Sequence, residues 1–537
     1  MKEKVQIMIK NLSIPFLILL MITAIGIYFR PIWIIDETRY LSVAWEMWDK
    51  SSFLVPFLNG EPYHHKPPFI FWLVHLNWSL FGVNETSIRF IPMIFGFGTL
   101  MLAYKLYLTL WKEDIQGAKN TVFILAGTLI FTFYNSLFMF DIILTFWVFL
   151  GVLGIVQAVE KQTLLPFILI SFSIGFGILT KGPVILVHLL PLLLLVSYWS
   201  NTKVDKGFYL KFGFSFLGGV AIALSWAIPA GIAGGEEYQH AIFWGQTANR
   251  MVNSFAHQRP IWWYLTLLPL LLFPWSIHKS FYVSLKQTTM DHGLKMLLVW
   301  MLPTLLIFSF ISGKQVHYIL PEIAAFSLFC ARVLTTTNPN IQNYTNSVGY
   351  IYLILAAVFA IAPFVVPFVA PKSITFPVDS TAFLISAFLL LALSIYFLKK
   401  SFLIQDNAIK MIAISVIVPI FTVHFSLHNF LAEQNISTFS EKIASLQQKG
   451  IPVVHDQKYH DQFHFLGRLH DPIIILKSKE EISEFIQNNP SAMIITYRRK
   501  KEMHKINQNL ITTKTSFKGK YAILIKADLY DKLNSKP

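Results

Sequence analysis

Long apolar runs alternate with short charged gaps from residue 11 to residue 427. A helix needs roughly 20 apolar residues to cross a hydrocarbon layer. On that spacing the pattern predicts about thirteen spans, near 11–29, 88–111, 120–138, 142–159, 163–180, 184–199, 212–232, 261–277, 296–312, 319–334, 347–370, 381–398 and 408–427. Two segments break the rhythm. The first is the gap 30–87, which is long but not polar throughout. "DETRYLSVAWEMWDK" places Tyr40, Val43, Ala44 and Met47 at helical spacing. "PPFIFWLVHLNWSLFG" is apolar and aromatic but short for a span. Both predict helices lying in the membrane interface, where aromatic rings are favoured. The second segment begins near residue 433, where the apolar runs shrink to "IPVV", "PIIIL", "AMIITY" and "YAILIK", which read as strands. "TFSE" (Thr438 to Glu441) and "SKEE" (Ser478 to Glu481) have capping-box spacing and predict two helix starts. The expectation is an α-helical polytopic membrane protein over 1–432, with interfacial helices in the 30–87 loop, and a small α/β domain over 433–537.

Composition agrees and narrows the class. Of the 537 residues, 54% are hydrophobic and 14% charged, with a mean hydropathy of +0.54. That composition excludes a soluble protein of this length. The formal charge of +15 is scattered between apolar spans, which favours cytoplasmic loops and anionic headgroups over nucleic acid. One cysteine, Cys330, excludes a disulfide within the chain. The basic N-terminus runs into apolar sequence without a small-residue cleavage site, which predicts a retained first span.

Charge also supplies sidedness. Lys112, Lys119, Lys161, Lys203, Lys206, Lys211, Lys279, Lys286, Lys295, Arg332, Lys399, Lys400 and Lys410 fall in alternate gaps, which read as cytoplasmic together with the N-terminus. The gaps 30–87, 139–141, 180–183, 233–260, 313–318 and 371–380 then face outward, as does the tail beyond 433.

Outward gaps are expected to be poor in Lys and Arg, yet they hold Arg39, Lys66, Lys181, Arg250, Arg259 and Lys314. One reading is snorkelling to headgroups; the other is convergence on one anionic ligand, since guanidinium and ammonium groups are the usual phosphate partners. Acids accompany them. Asp36 and Glu37 lie just beyond the first span, and Asp141 stands alone in "LFMFDIILTF". A lone ionisable residue in an apolar stretch marks a functional site by default, although an aspartate there also suits a helix N-cap. These acids predict a general base with an orienting neighbour. In "YHHKPPFIFW" the prolines predict a helix start just after Lys66; His64 and His65 suit either a metal or an interface. The stretch 236–269 sets Gln246, Asn249, Arg250, His257 and Arg259 among aromatics, a mixture suited to a sugar, while Trp262, Trp263 and Tyr264 read as an aromatic belt. "LTKGP" and "SGKQVHYILP" bring Lys181, Lys314 and Tyr318 to span ends beside glycine turns. In the tail, His455, His460, His464 and His470 read as scattered surface histidines rather than a metal site.

"IIDETRYLSVAWEM", "HHKPPFIFW", "FMFDIILTFW", "LTKGP", "NRMVNSFAHQRPIWWYL" and "SGKQVHYILP", in that order, resemble the motifs of the aminoarabinose transferases that modify lipid A. Those enzymes are polytopic glycosyltransferases that use lipid-linked sugars and are related to protein O-mannosyltransferases. The resemblance implies a sugar donor on undecaprenyl phosphate, an acceptor such as lipid A, no nucleic acid, and a bacterial inner-membrane protein whose site faces the periplasm. It implies catalytic roles for Asp36 and Asp141, with Glu37 adjacent, and phosphate contacts from Arg39, Lys66 and Arg250. Some relatives bind zinc through a histidine matching His257 and an acid that this chain replaces with His65; a site from His65 and His257 is the corresponding expectation, although the chemistry requires no cofactor. A flippase for the same lipid-linked sugar and a protein O-glycosyltransferase are the competing readings. A flippase would carry a midplane site between repeated halves, and no such repeat is visible.

Overall fold

The structure, a computed structural model, describes residues 2–245, 258–335, 346–369, 377–399 and 405–533. Among these, ten helices are long and apolar enough to cross a membrane: Gln6–Phe29, Ser87–Leu110, Phe140–Lys161, Leu164–Lys181, Lys206–Gly234, His292–Phe310, Val316–Thr335, Asn346–Val369, Ser380–Lys399 and Asn407–Ser426. The other three predicted spans are broken helices. Residues 120–138 fall in Ile115–Ala126 and Leu129–Asn135, separated at Gly127 and Thr128. Residues 184–199 divide into Ile185–Leu194 and Val196–Trp199, and 261–277 into Trp263–Leu271 and the 3-10 turn Trp275–Ile277. Hydropathy sees the apolar run but not the break, because a freed backbone group inside a bundle is satisfied by neighbouring helices.

The Gly127 break is a packing requirement. A Cβ there would stand 2.6 Å from the Cα of Ala413 and 3.0 Å from the Phe123 carbonyl oxygen, so two backbones meet across this glycine. Gly127→Ala is expected to cost about 1–3 kcal/mol by overpacking, read as a lowered Tm in detergent. An unchanged Tm would refute the close approach.

One end of the bundle carries the lysine-rich gaps, and the chain caps its helices there with aspartates. Asp114, Asp205 and Asp291 each accept a first-turn amide, from Gly117, Phe208 and Leu294 at 2.8–2.9 Å. Arg332 ties this face together, reaching Asp291 at 3.0 Å and Asp114 at 3.4 Å. Residues 317 and 318, at the other end of the same helix, lie about 20 Å away at 1.5 Å per residue.

At that opposite end the first loop folds into α2 (Asp36–Asp49), a short hairpin of β1 (Phe57–Leu58) and β2 (Glu61–Pro62), and α3 (Phe69–Phe81). The two predicted interfacial helices are both present. Helix α3 has 13 residues, too few to span, and exposes Leu76, Leu80 and Phe81 while Ile70, Phe71, Val74 and Trp78 are buried. Helix α2 departs from expectation. Every residue from Glu37 to Met47 except Arg39 is buried, including the polar Thr38, Ser42 and Glu46. Its polar face lies not against water but against the C-terminal segment.

That segment holds a five-stranded sheet in the order β4-β3-β5-β7-β6: β3 (Val453–His455), β4 (Ile474–Ile475), β5 (Met493–Arg499), β6 (Ile511–Phe517) and β7 (Lys520–Lys526). Strand β3 pairs in parallel with β4 and β5, and β7 antiparallel with β5 and β6. Both faces are apolar: Val453, Ile495 and Leu524 pack on one side, and Val454, Ile494 and Ile523 on the other. Four strands follow the expected runs. Strand β6, "ITTKTSF", escapes the pattern because it is an edge strand whose residues alternate between partial burial and exposure. Ser478 caps its helix as expected, accepting from the Glu481 amide at 3.1 Å. The "TFSE" box does not form; that helix begins at Ser437, two residues too early for Thr438 to cap it. The surface-histidine reading is corrected as well: His455 and His464 are 0% and 1% exposed, because the loop after β3 is pressed onto α2.

Hydrogen bonds weld that contact. The Ser42 hydroxyl donates to the Asp461 carbonyl at 2.5 Å and accepts from the Phe465 amide at 3.1 Å. Trp45 Nε1 donates to the Leu469 carbonyl at 2.8 Å, and the Asn59 side chain exchanges two bonds with the Ile473 backbone. Trp78 of α3 stacks on Phe465 with ring centres 5.4 Å apart.

Candidate active site

Five separate stretches of chain converge at the helix ends opposite the lysine-rich face. Asp36 and Arg39 come from the first turn of α2; their ion pair is 2.7 Å long, and the Asp36 side chain keeps 51% of its surface open. Asp141 sits in the first turn of the helix Phe140–Lys161 and is 2% exposed. The N-cap reading of Asp141 does not hold. The cap position is Met139, and the Asp141 carboxylate turns instead to Lys181 at the end of the neighbouring helix Leu164–Lys181. Lys181 also lies over the Tyr318 ring, 4.8 Å from its centre. Lys66 comes from the loop before α3, which begins at Phe69 directly after the proline pair, and its ammonium is 5.3 Å from the Phe140 ring centre.

His317 and Tyr134 join this group. The Tyr134 hydroxyl and His317 Nδ1 are 3.3 Å apart. His317 lies within electrostatic reach of Asp141, Lys181, Lys66 and Asp36 together, so the two acids and the two lysines gather around one histidine. Neither residue was singled out from sequence, although His317 stands inside "SGKQVHYILP" and an ionisable group at a span end is a usable signal. Tyr40 roofs the site, its ring 4.7 Å from that of Phe140 and 5.2 Å from the Arg39 guanidinium. Burial, reinforced by the Asp36 charge, pushes the Tyr40 hydroxyl above its ordinary range, so it stays a neutral hydrogen-bonding group. From the C-terminal segment, His460 comes within range of Arg39 and Asp36. Burial first, then Lys458 and Arg39, lowers its pKa, which keeps the imidazole uncharged near neutral pH.

Other nominated residues have different surroundings. Glu37 is 1% exposed and accepts three short bonds: from Arg30 Nη1 at 2.6 Å, the Trp33 amide at 2.7 Å and the Phe138 amide at 2.6 Å. It clamps the end of the first span to the turn before Asp141. Lys314 is 3% exposed and donates to the carbonyls of Arg259 and Ile311 at 2.9 and 2.6 Å, stapling two outward loops rather than facing the pocket. Arg259 is exposed, 5.9 Å from the Trp263 ring centre. His65 is exposed and packs beside Tyr63 and His64. Gln246, Asn249, Arg250 and His257 lie outside the described residues, and with His257 goes one half of the expected metal pair.

Three comparisons bear on this geometry. Residues 65–226 match the family model of dolichyl-phosphate-mannose-protein mannosyltransferases. An undecaprenyl phosphate-alpha-4-amino-4-deoxy-L-arabinose arabinosyl transferase of Photorhabdus laumondii is 26% identical over 312 residues, 56% of this chain and 55% of that relative. Its counterpart in Pseudomonas aeruginosa is 28% identical over 330 residues, 59% of each. The matched region therefore spans little more than half the length of these relatives. The crystal structure of ArnT from Cupriavidus metallidurans bound to undecaprenyl phosphate superposes with a TM-score of 0.74 over 96% of this chain and 98% of that one, at 15% identity. Its apo form gives 0.75 at 14% identity. The resemblance read from the motifs is upheld, and the chain has the fold of a polytopic membrane glycosyltransferase.

Proposed function

We propose that the protein transfers a sugar from a polyprenyl phosphate to an acceptor at the outer face of a bacterial inner membrane, with undecaprenyl phosphate-linked aminoarabinose as donor and lipid A as acceptor. The observation that carries this reading is the pairing of an open carboxylate, Asp36, with a buried one, Asp141, beside the cations Lys66, Lys181 and Arg39. The relatives' names supply the sugar and the carrier lipid, and the motif resemblance supplies lipid A as the acceptor. If each of the three broken helices also crosses, the count is thirteen, and 433–537 then lies on the outer side as an α/β domain above the 1–432 membrane part.

The charges divide the work. Lys66 and Arg39, joined by Arg250, hold the donor phosphate and stabilise the charge that grows on it as the bond from C1 to oxygen breaks. Asp36, the accessible acid, takes a proton from an acceptor hydroxyl or orients an acceptor phosphate. Asp141 holds Lys181 in place at the pocket wall. Attack from the face opposite the leaving phosphate inverts the anomeric carbon. No step needs a cofactor.

Proteoliposomes containing the protein, undecaprenyl phosphate-linked aminoarabinose and lipid A test this directly. Mass spectrometry is expected to show lipid A heavier by one aminopentose. The family model's name favours one alternative acceptor, a protein hydroxyl, so a Ser/Thr-rich acceptor peptide forms the second arm. Glycosylated peptide with unchanged lipid A would transfer the assignment to protein O-glycosylation. Donor crossing the bilayer without product would indicate a flippase.

A further inference from the structure

A second group of ionisable side chains lies where α2 meets the loop after β3. Glu46, Asp461 and His464 bring one ligand atom each to within 4.8 Å of one another, the one such trio among the described residues. Their exposures are 6%, 1% and 1%. Two carboxyl groups buried side by side cannot both stay ionised without a counter-charge, and burial together with Glu46 raises the Asp461 carboxyl well above its usual range. The Lys50 ammonium is 3.7 Å from Glu46 and partly in water. The Asp461 carboxyl is hydrogen-bonded to Glu46 and to the Asn59 backbone, while its Oδ2 is buried without a partner of its own. The Glu46 oxygens accept from the amides of Asn59 at 2.6 Å and Gly60 at 2.8 Å, and each retains a further lone pair.

The imidazole is oriented for the same centre. His464 Nδ1 is 3.7 Å from Asp461 Oδ1, and the ring is also hydrogen-bonded to the Asp471 backbone. A hydrogen bond from one ring nitrogen to a backbone carbonyl is the arrangement that fixes the tautomer and orientation of a metal-binding histidine. The Tyr459 hydroxyl lies 2.8 Å from Nδ1 and would have to turn its proton away on metal binding.

We propose that Glu46, Asp461 and His464 form a structural site for one divalent transition-metal cation of the zinc class, clamping the C-terminal α/β unit onto α2. One imidazole nitrogen with two carboxylates suits zinc, with ligand bonds of about 2.0–2.2 Å. Two negative charges are offset by the ion's two positive ones. The site ties α2 and the adjacent hairpin, held by the Asn59 and Gly60 amides, to the loop more than 400 residues downstream that carries Asp461 and His464. It is independent of the proposed reaction and of the pair His65 and His257.

The test uses the full chain in detergent, stripped with a chelator and reloaded with zinc chloride alone. Elemental analysis is expected to find equimolar zinc, with a Tm that falls by several degrees on stripping and returns on reloading. His65→Ala/His257→Ala is expected to retain that zinc. Asp461→Asn, which keeps the shape and a hydrogen bond to Glu46, is expected to lose both the zinc and the zinc-dependent Tm. Background zinc with identical Tm before and after stripping would overturn the proposal. So would Asp461→Asn binding zinc like the parent, or matching the parent's Tm with zinc absent from both, the result of a proton shared by the two acids.

Discussion

Asp36→Asn is expected to remove transfer activity while leaving the protein folded. General acid–base groups contribute about 10²–10⁴-fold, so turnover in the proteoliposome assay should fall by at least two orders of magnitude. The fold should tolerate the change because Asp36 is half open to solvent and its ion pair with Arg39 lies at the surface. Such pairs contribute about 0–1 kcal/mol. Tm should therefore stay near that of the parent, and binding of the lipid-linked donor should persist, because the phosphate contacts are assigned elsewhere. A mutant with parental turnover would defeat the role given to Asp36. A mutant with lost turnover and a collapsed Tm would show that the residue holds the fold instead.

Glu37→Gln is expected to give the opposite profile, although Glu37 adjoins Asp36 in sequence. Its carboxylate neutralises the buried guanidinium of Arg30 and collects two backbone amides, one of them 101 residues away at Phe138. The amide replacement leaves Arg30, 3% exposed, without its ion-pair partner. Removing one member of a buried pair costs about 3–5 kcal/mol, read as a large drop in Tm and in yield from membranes. Replacing both members with apolar residues, as in Arg30→Met/Glu37→Leu, should recover part of the loss, since the desolvation penalty disappears with the charges. If Glu37→Gln kept its Tm and lost only turnover, Glu37 would rank with the reacting groups.

The contrast between these neighbours shows what a chain of letters can and cannot convey. Both are acids beside the end of the first span, and "DETR" makes them look alike. Helical spacing turns Asp36 toward the pocket and Glu37 toward the bundle, and only the packed bundle reveals that the Phe138 amide waits there. The same holds for the outward cations. Their excess over the charge rule is visible in sequence, but Lys181 turns to the pocket acid Asp141 whereas Lys314 turns to two carbonyls. Helix α2 reads as an interfacial element because its apolar stripe is periodic; the burial of Ser42 and Glu46 on its other face depends on residues more than 400 positions downstream.

The apolar runs and the ordered motifs are enough to establish a polytopic membrane chain and a strand-bearing tail, and the charge alternation between gaps singles out the acids and cations that break it. These are local properties: hydrocarbon solvation depends on run length, and loop charge on residue counts, and neither needs a neighbour in space. Where helices break, which acid is open and which is clamped, and how the tail closes over α2 were decided by tertiary contact alone. Each of those depends on the distance between atoms far apart in the chain, and buried electrostatics change sign of effect over a few ångströms.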